Sequence, residues 1–140
     1  MNAIPIGVKG SFSIVVTPEH LANRFKNPTL PPVLATPLMI LFMENAALDA
    51  IHKYLPPGKS AVGTAVNIRH LAATPAGQLV TAEAVVTAVD DRRIVFEVTA
   101  RDETQQIGRG NHERAIVDLD RLAQRLNAKA SSAAGLSASD

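Results

Sequence analysis

The segment Ala35-Thr36-Pro37-Leu38-Met39-Ile40-Leu41-Phe42-Met43-Glu44-Asn45-Ala46-Ala47-Leu48-Asp49-Ala50-Ile51 reads as a helix with a sharply marked start. Thr36 suits the N-cap, where its hydroxyl can accept from an orphan backbone N–H. Pro37 suits the first helical position, where a missing N–H costs nothing. The apolar run Leu38 to Met43 covers every side of the cylinder, so this end of the helix should be buried. Asn45, Asp49, His52 and Lys53 cluster on one side, the wet one. Glu44 does not join them. Its wheel neighbours are Ile40, Leu41, Ala47, Leu48 and Ile51. A carboxylate among such residues must be paired, hydrogen-bonded or protonated, which makes it a candidate functional group or a satisfied buried acid.

A chain of 140 residues fits one domain with one sheet-plus-helix core. Hydrophobic content of 46% with 19% charged residues is ordinary for a folded domain. A net charge of +1 creates no field that would steer nucleic acid or anionic lipid to it. The absence of cysteine excludes disulfides, thiolate nucleophiles and Cys-type metal sites. No signal peptide is evident at the N-terminus, and Leu38–Met43 is far too short to span a bilayer. A cytoplasmic protein with no membrane partner is the expectation.

Outward from the helix, Val8 to Thr17 reads as a strand and Pro18 to Asn27 as a short helical turn. Pro28, Pro31 and Pro32 make 27–33 an extended loop leading into the helix. The helix should stop near Tyr54, at Pro56-Pro57-Gly58. Beyond it the pattern switches to alternation. Ser60 to Ala72 is a strand with Val62, Thr64, Val66, Ile68 and His70 on one face and Gly63, Ala65, Asn67 and Arg69 on the other. Thr74-Pro75-Ala76-Gly77 is a turn, Gln78 to Val89 a strand, and Asp90-Asp91 a tight hairpin. Arg92 to Arg101 returns with Ile94, Phe96 and Val98 inward, and Gln106 to Val117 is the last strand. Residues 118–127 should form a short helix, and the Ala/Ser-rich tail 128–140 should be disordered. The expected fold is α+β: four strands in meander after the helix, with a curved antiparallel sheet wrapping the one helix apolar enough to be wrapped. Its open edge invites pairing with a second copy.

His70 shares the apolar face of its strand, which in a meander would bring it level with Glu44. Two titratable groups in one apolar layer fit acid/base work. Thr36 lies eight residues before Glu44, ~12 Å along a regular helix axis, so the two could not touch. Gly108-x-Gly110-x-His112-x-Arg114 has period two, and its glycines clear one face for a backbone or a ligand. Arg114 could meet a phosphate, or Glu44, or a surface acid. No paired histidine spacing, phosphate loop or nucleophile elbow is present, and no basic stripe or aromatic platform supports nucleic-acid binding.

Four segments, taken in order, closely resemble hot-dog-fold thioesterases of the fluoroacetyl-CoA thioesterase-like group. They are Ala35-Thr36 with Met43-Glu44; Gly63-Thr64-Ala65; His70-Leu71-Ala72-Ala73-Thr74-Pro75-Ala76-Gly77; and Ile107-Gly108-Arg109-Gly110-Asn111-His112-Glu113-Arg114-Ala115. The resemblance runs from about Val8 to Leu126 and implies a hot-dog domain over 1–127. It implies a homodimer whose sheets join edge to edge, with acyl-CoA hydrolysed at the dimer interface; the sequence leaves open whether such dimers pair into a tetramer. The family's catalytic Thr, Glu and His match Thr36, Glu44 and His70. Its glycine beside the acyl group matches Gly63, and its substrate-associated arginine matches Arg114. Where the fluoroacetyl-CoA enzyme carries phenylalanines before the Thr, this chain has Asn27 and Leu30, so Leu30 is expected to shape a different acyl pocket.

The reading that follows is an acyl-CoA thioesterase for a short or medium chain, with no metal and no cofactor beyond the substrate's own CoA. A non-catalytic acyl-CoA-binding module would keep the pocket but give no reason for Glu44. An enoyl-CoA hydratase would want an Asp/His pair near the helix start, where this chain has Thr36.

Overall fold

The computed structural model describes residues 3–139. Five antiparallel strands form one curled sheet in the order β1-β3-β4-β5-β2: β1 (Lys9–Val15), β2 (Lys59–His70), β3 (Leu79–Asp90), β4 (Arg93–Arg101) and β5 (Gln106–Asp118). Between β1 and β2 come α1 (Ala22–Phe25), the 27–33 loop and the long helix α2 (Thr36–Ile51), which ends in a 3-10 turn, His52–Tyr54.

The sheet wraps α2 as expected. Met39, Phe42, Met43, Ala46, Ala47, Ala50 and Ile51 of the helix are buried against Ile94, Phe96 and Val98 of β4 and their neighbours. Close approach depends on small residues at two points. A Cβ on Gly10 would collide with the Ala46 carbonyl and the Ala50 amide, so only glycine lets the helix backbone lie on β1. A Cβ on Gly108 would sit 2.6 Å from Met39 Sδ, so that glycine makes room for a core thioether. The Asp90-Asp91 hairpin is present, with Asp91 at φ 54°.

Four expectations need correction. First, the strands after α2 are not a simple meander. β2 lies beside β5 at the sheet edge, and residues 71–78 cross to β3 at the other side. Glycine at 110 admits this arrangement, because a Cβ there would strike the Asn67 carbonyl of β2. Second, β2 does not keep one face throughout. Gly63 pairs with Arg114 and Ala65 with Glu113, so Thr64 is an extra, bulged residue. One inserted residue exchanges the faces. Ala61 and Gly63 therefore share the inner face with Val66, Ile68 and His70, while Val62 turns outward.

Third, Thr36 is not the cap. Ala35 holds that position, Thr36 is the first helical residue, and no side chain caps the helix. Fourth, the C-terminal helix α3 runs Leu119–Ser139, so 128–139 continue it instead of being disordered. Alanine, the best helix former, recurs through that stretch. Asp140 lies outside the described residues. Among the described residues no helix is long and apolar enough to cross a membrane.

Candidate active site

The expected site residues fall into two groups at different levels of α2. At the helix start, Thr36 Oγ1 lies 2.8 Å from His70 Nδ1. Because Thr36 caps nothing, its hydroxyl is free for this bond. Burial holds the His70 pKa below its ordinary 6.5, opposed by a backbone bond at Ala72. Its Nε2 is buried with no partner among the described residues. Both side chains line a groove of about 460 Å³, with Leu30 and Pro31 of the preceding loop and Leu71 and Ala72 after β2. Leu30 thus reaches the wall where it was expected to shape a pocket.

Two turns further along, Glu44 faces Gly63 and Arg114. Arg114 Nη1 stands 3.4 Å from Glu44 Oε2. A Cβ on Gly63 would lie 2.9 Å from the same oxygen. The arginine is held from behind: Nη2 donates to the Ala61 carbonyl at 2.9 Å and Nη1 lies 3.1 Å from His112 Nε2. His112 Nδ1 lies 2.9 Å from the Ala65 carbonyl. A carbonyl can only accept and a guanidinium can only donate. The ring must therefore be neutral, with its proton on Nδ1. Burial lowers the His112 pKa first, the Ala65 bond opposes this, and the Arg114 charge lowers it further. Phe96 stacks on the ring at 5.8 Å. The Arg114 side chain is 8% exposed and Glu44 33%, so the acid is tethered but open on one side.

Within one chain, Glu44 does not face His70. The β2 register sets His70 opposite Gly108 and Gly63 opposite Arg114, which separates the imidazole from the acid. The helix is regular from Thr36 onward, so Thr36 and Glu44 are also ~12 Å apart along its axis.

His112 is the supporting residue that sequence reasoning did not place in the site. Its signal was the same period-two run that pointed to Arg114. A second support is Thr74, fully buried, whose hydroxyl donates to Asp102 Oδ2 at 2.9 Å. The Thr74 carbonyl accepts from Leu34 N–H at 2.8 Å, fixing the crossover after His70 to the chain entering Thr36.

A long helix in a curled five-stranded antiparallel sheet, with a polar pair at the helix start beside an apolar groove, is the hot-dog architecture of thioester hydrolases. A solved structure of the fluoroacetyl-CoA thioesterase FlK matches with TM-score 0.86 and 33% identity, over 91% of this chain and 98% of that one. A Thermus thermophilus thioesterase superfamily member matches with TM-score 0.85 and 31% identity, over 94% and 99%. The fluoroacetyl-CoA thioesterase of Streptantibioticus cattleyicolor is 38% identical over 120 residues, 81% of this chain and 86% of that protein. The model of the fluoroacetyl-CoA-specific thioesterase family matches residues 16–120, and the chain belongs to that family.

Proposed function

We propose that this thioesterase hydrolyses a short- or medium-chain acyl-CoA, using Thr36, Glu44 and His70 and no metal or cofactor. The observation that carries this reading is the Thr36–His70 hydrogen bond at the wall of the Leu30-lined groove. The carbonyl carbon accepts a water oxygen, the C–S bond breaks, and the sulfur leaves as CoA thiol with a proton returned to it. Glu44 takes the water's proton, or attacks the carbonyl first to give an anhydride that water then opens; His70 passes the proton on. The N–H of Thr36 has no acceptor among the described residues and Pro37 has none to offer. In this reading Thr36 N–H, at the positive end of α2, donates to the developing oxyanion.

The separation of Glu44 from His70 within a chain supports a homodimer as the working unit. β2 is an edge strand, and Val62, Val66 and Leu41 along it and α2 are 37%, 43% and 44% exposed. Pairing β2 with its copy about a two-fold axis runs the strands in opposite directions. The His70 end of one then meets the Gly63 end of the other, beside which Glu44 of α2 lies. Gly63 and Arg114 border the acyl thioester there, and Leu30 limits the acyl length.

Thiol release across an acyl-CoA panel tests the reading. Glu44→Gln keeps the shape and removes the base, and kcat should fall about 10³-fold. Near-native turnover by that variant would overturn the assignment. A binding module would instead show ligand-induced stabilisation and no thiol.

A further inference from the structure

On the outer face of the sheet, Arg69 of β2 and Arg109 of β5 are direct cross-strand partners. Like charges in that relation repel. Neither forms an ion pair among the described residues. Both line a cavity of about 400 Å³, together with the side-chain amides of Asn67, Asn111 and Gln106. Glu97 is a carboxylate on the same wall, and it pairs with neither arginine. Two repelling guanidiniums with three amide side chains beside them, against one carboxylate, are the chemistry of an anion site, and guanidinium is the group best matched to phosphate oxygens.

The cavity's position says which anion. His70 follows Arg69 in β2 and lies on the opposite face, where it meets Thr36. Cavity and proposed catalytic pair therefore stand back to back at one end of the sheet. The strand ends between them, at the exposed Leu71. A CoA thioester carries its reactive carbonyl at one end of a long flexible pantetheine arm and its phosphates at the other.

We propose that the Arg69–Arg109 cavity binds the phosphates of the nucleotide end of the CoA thioester, the pantetheine arm rounding the end of β2 at Leu71. This rests on the thioesterase reading above. The two arginines hold substrate without touching the reacting atoms, so their removal weakens binding and leaves the chemistry alone.

The test is steady-state kinetics of the Arg69→Gln/Arg109→Gln variant with one acyl group presented on CoA and on pantetheine, which lacks the nucleotide. With acyl-CoA, KM should rise about tenfold or more while kcat stays within about twofold. With acyl-pantetheine neither constant should move. The acyl-CoA KM of the unaltered protein should also climb with salt. Equal effects on both substrates, or none on either, overturn the proposal. So does the same selective KM rise in Arg121→Gln/Arg125→Gln in place of the Arg69/Arg109 variant. Those residues, with Arg92, line a rival cavity of about 260 Å³ at the start of α3. If no acyl-CoA yields thiol, the thioesterase reading fails on its own. Calorimetric binding of free CoA then decides the cavity: affinity lost in the Arg69/Arg109 variant supports it, and equal affinity overturns it.

Discussion

The two groups of site residues along α2 are held by different physics. At the helix start, Thr36 and His70 share one hydrogen bond, burial lowers the imidazole's pKa, and an apolar groove opens beside them. At the Glu44 end, a carboxylate, a guanidinium, an imidazole and two backbone carbonyls form one connected network. The first end can still lose or gain a proton partner when substrate arrives. The second is organised in advance, and its cation is nearly closed to water. The proposed mechanism uses both, a hydroxyl–imidazole pair and a tethered acid, and one chain holds them apart.

The sharpest way to break this comparison is to mix two dead proteins. Glu44→Gln and His70→Asn should each lose about 10²-fold or more in kcat. If each working site takes Glu44 from one protomer and His70 from the other, a mixed dimer contains one intact site and one doubly damaged one. Co-refolding equal amounts should then restore roughly a quarter of the native activity, because about half the dimers are mixed and each has one of two sites. No recovery from demonstrated mixed dimers would place both groups in one chain's site and remove the argument for a shared interface.

Gly63→Ala sharpens the comparison from the Glu44 side. The added carbon would stand 2.9 Å from Glu44 Oε2 and 3.5 Å from Arg114 Nη1. The closest atom is the end of a side chain that is one-third exposed, so the carboxylate can swing away and the fold survives. A displaced acid should lower kcat about tenfold, the scale of losing one well-placed contact. KM should move less, and the melting temperature should hardly change. The same substitution leaving kcat intact would mean that the carboxylate's position is not critical.

How much of this could be read from the chain differs between the ends for a physical reason. The helix and Glu44's odd position are local, periodic signals, and they were legible; the all-round burial expected for 38–43 was met only in part, since Leu41 is 44% exposed. The period of two in Gly108, Gly110, His112 and Arg114 was legible too, although which way that face points was not. Strand partnership is not local. Alternation says that 59–70 is a strand, but nothing in it says that β5, not β3, lies alongside. The bulge at Thr64 was equally hidden, since one unpaired residue leaves no mark on composition yet turns Gly63 from the outer face to the one holding Glu44. Thr36 was recognised as a helix-start residue, but a hydroxyl there serves a cap or a distant imidazole equally well, and only the fold decides.

The smallest expected effect concerns proton linkage at the organised end. His112 is buried neutral, its pKa held below the ordinary 6.5 by burial, with the Ala65 bond opposing and the Arg114 charge adding to the depression. A depressed folded-state pKa means that the unfolded chain binds the proton first as pH falls. The stabilisation is complete above the unfolded value and is lost as pH drops through the folded one. His70 shifts in the same direction, by burial. Stability measured by denaturant midpoint should therefore decline below pH ~6.5. His112→Gln cannot titrate, so its decline should be shallower than that of the parent, from a lower starting stability because the Arg114 network has changed. If the acid limb keeps its slope in that variant, His112 takes up its proton in the fold as readily as in the unfolded chain. The network around Arg114 would then have to hold a protonated ring that its hydrogen-bond geometry has no place for.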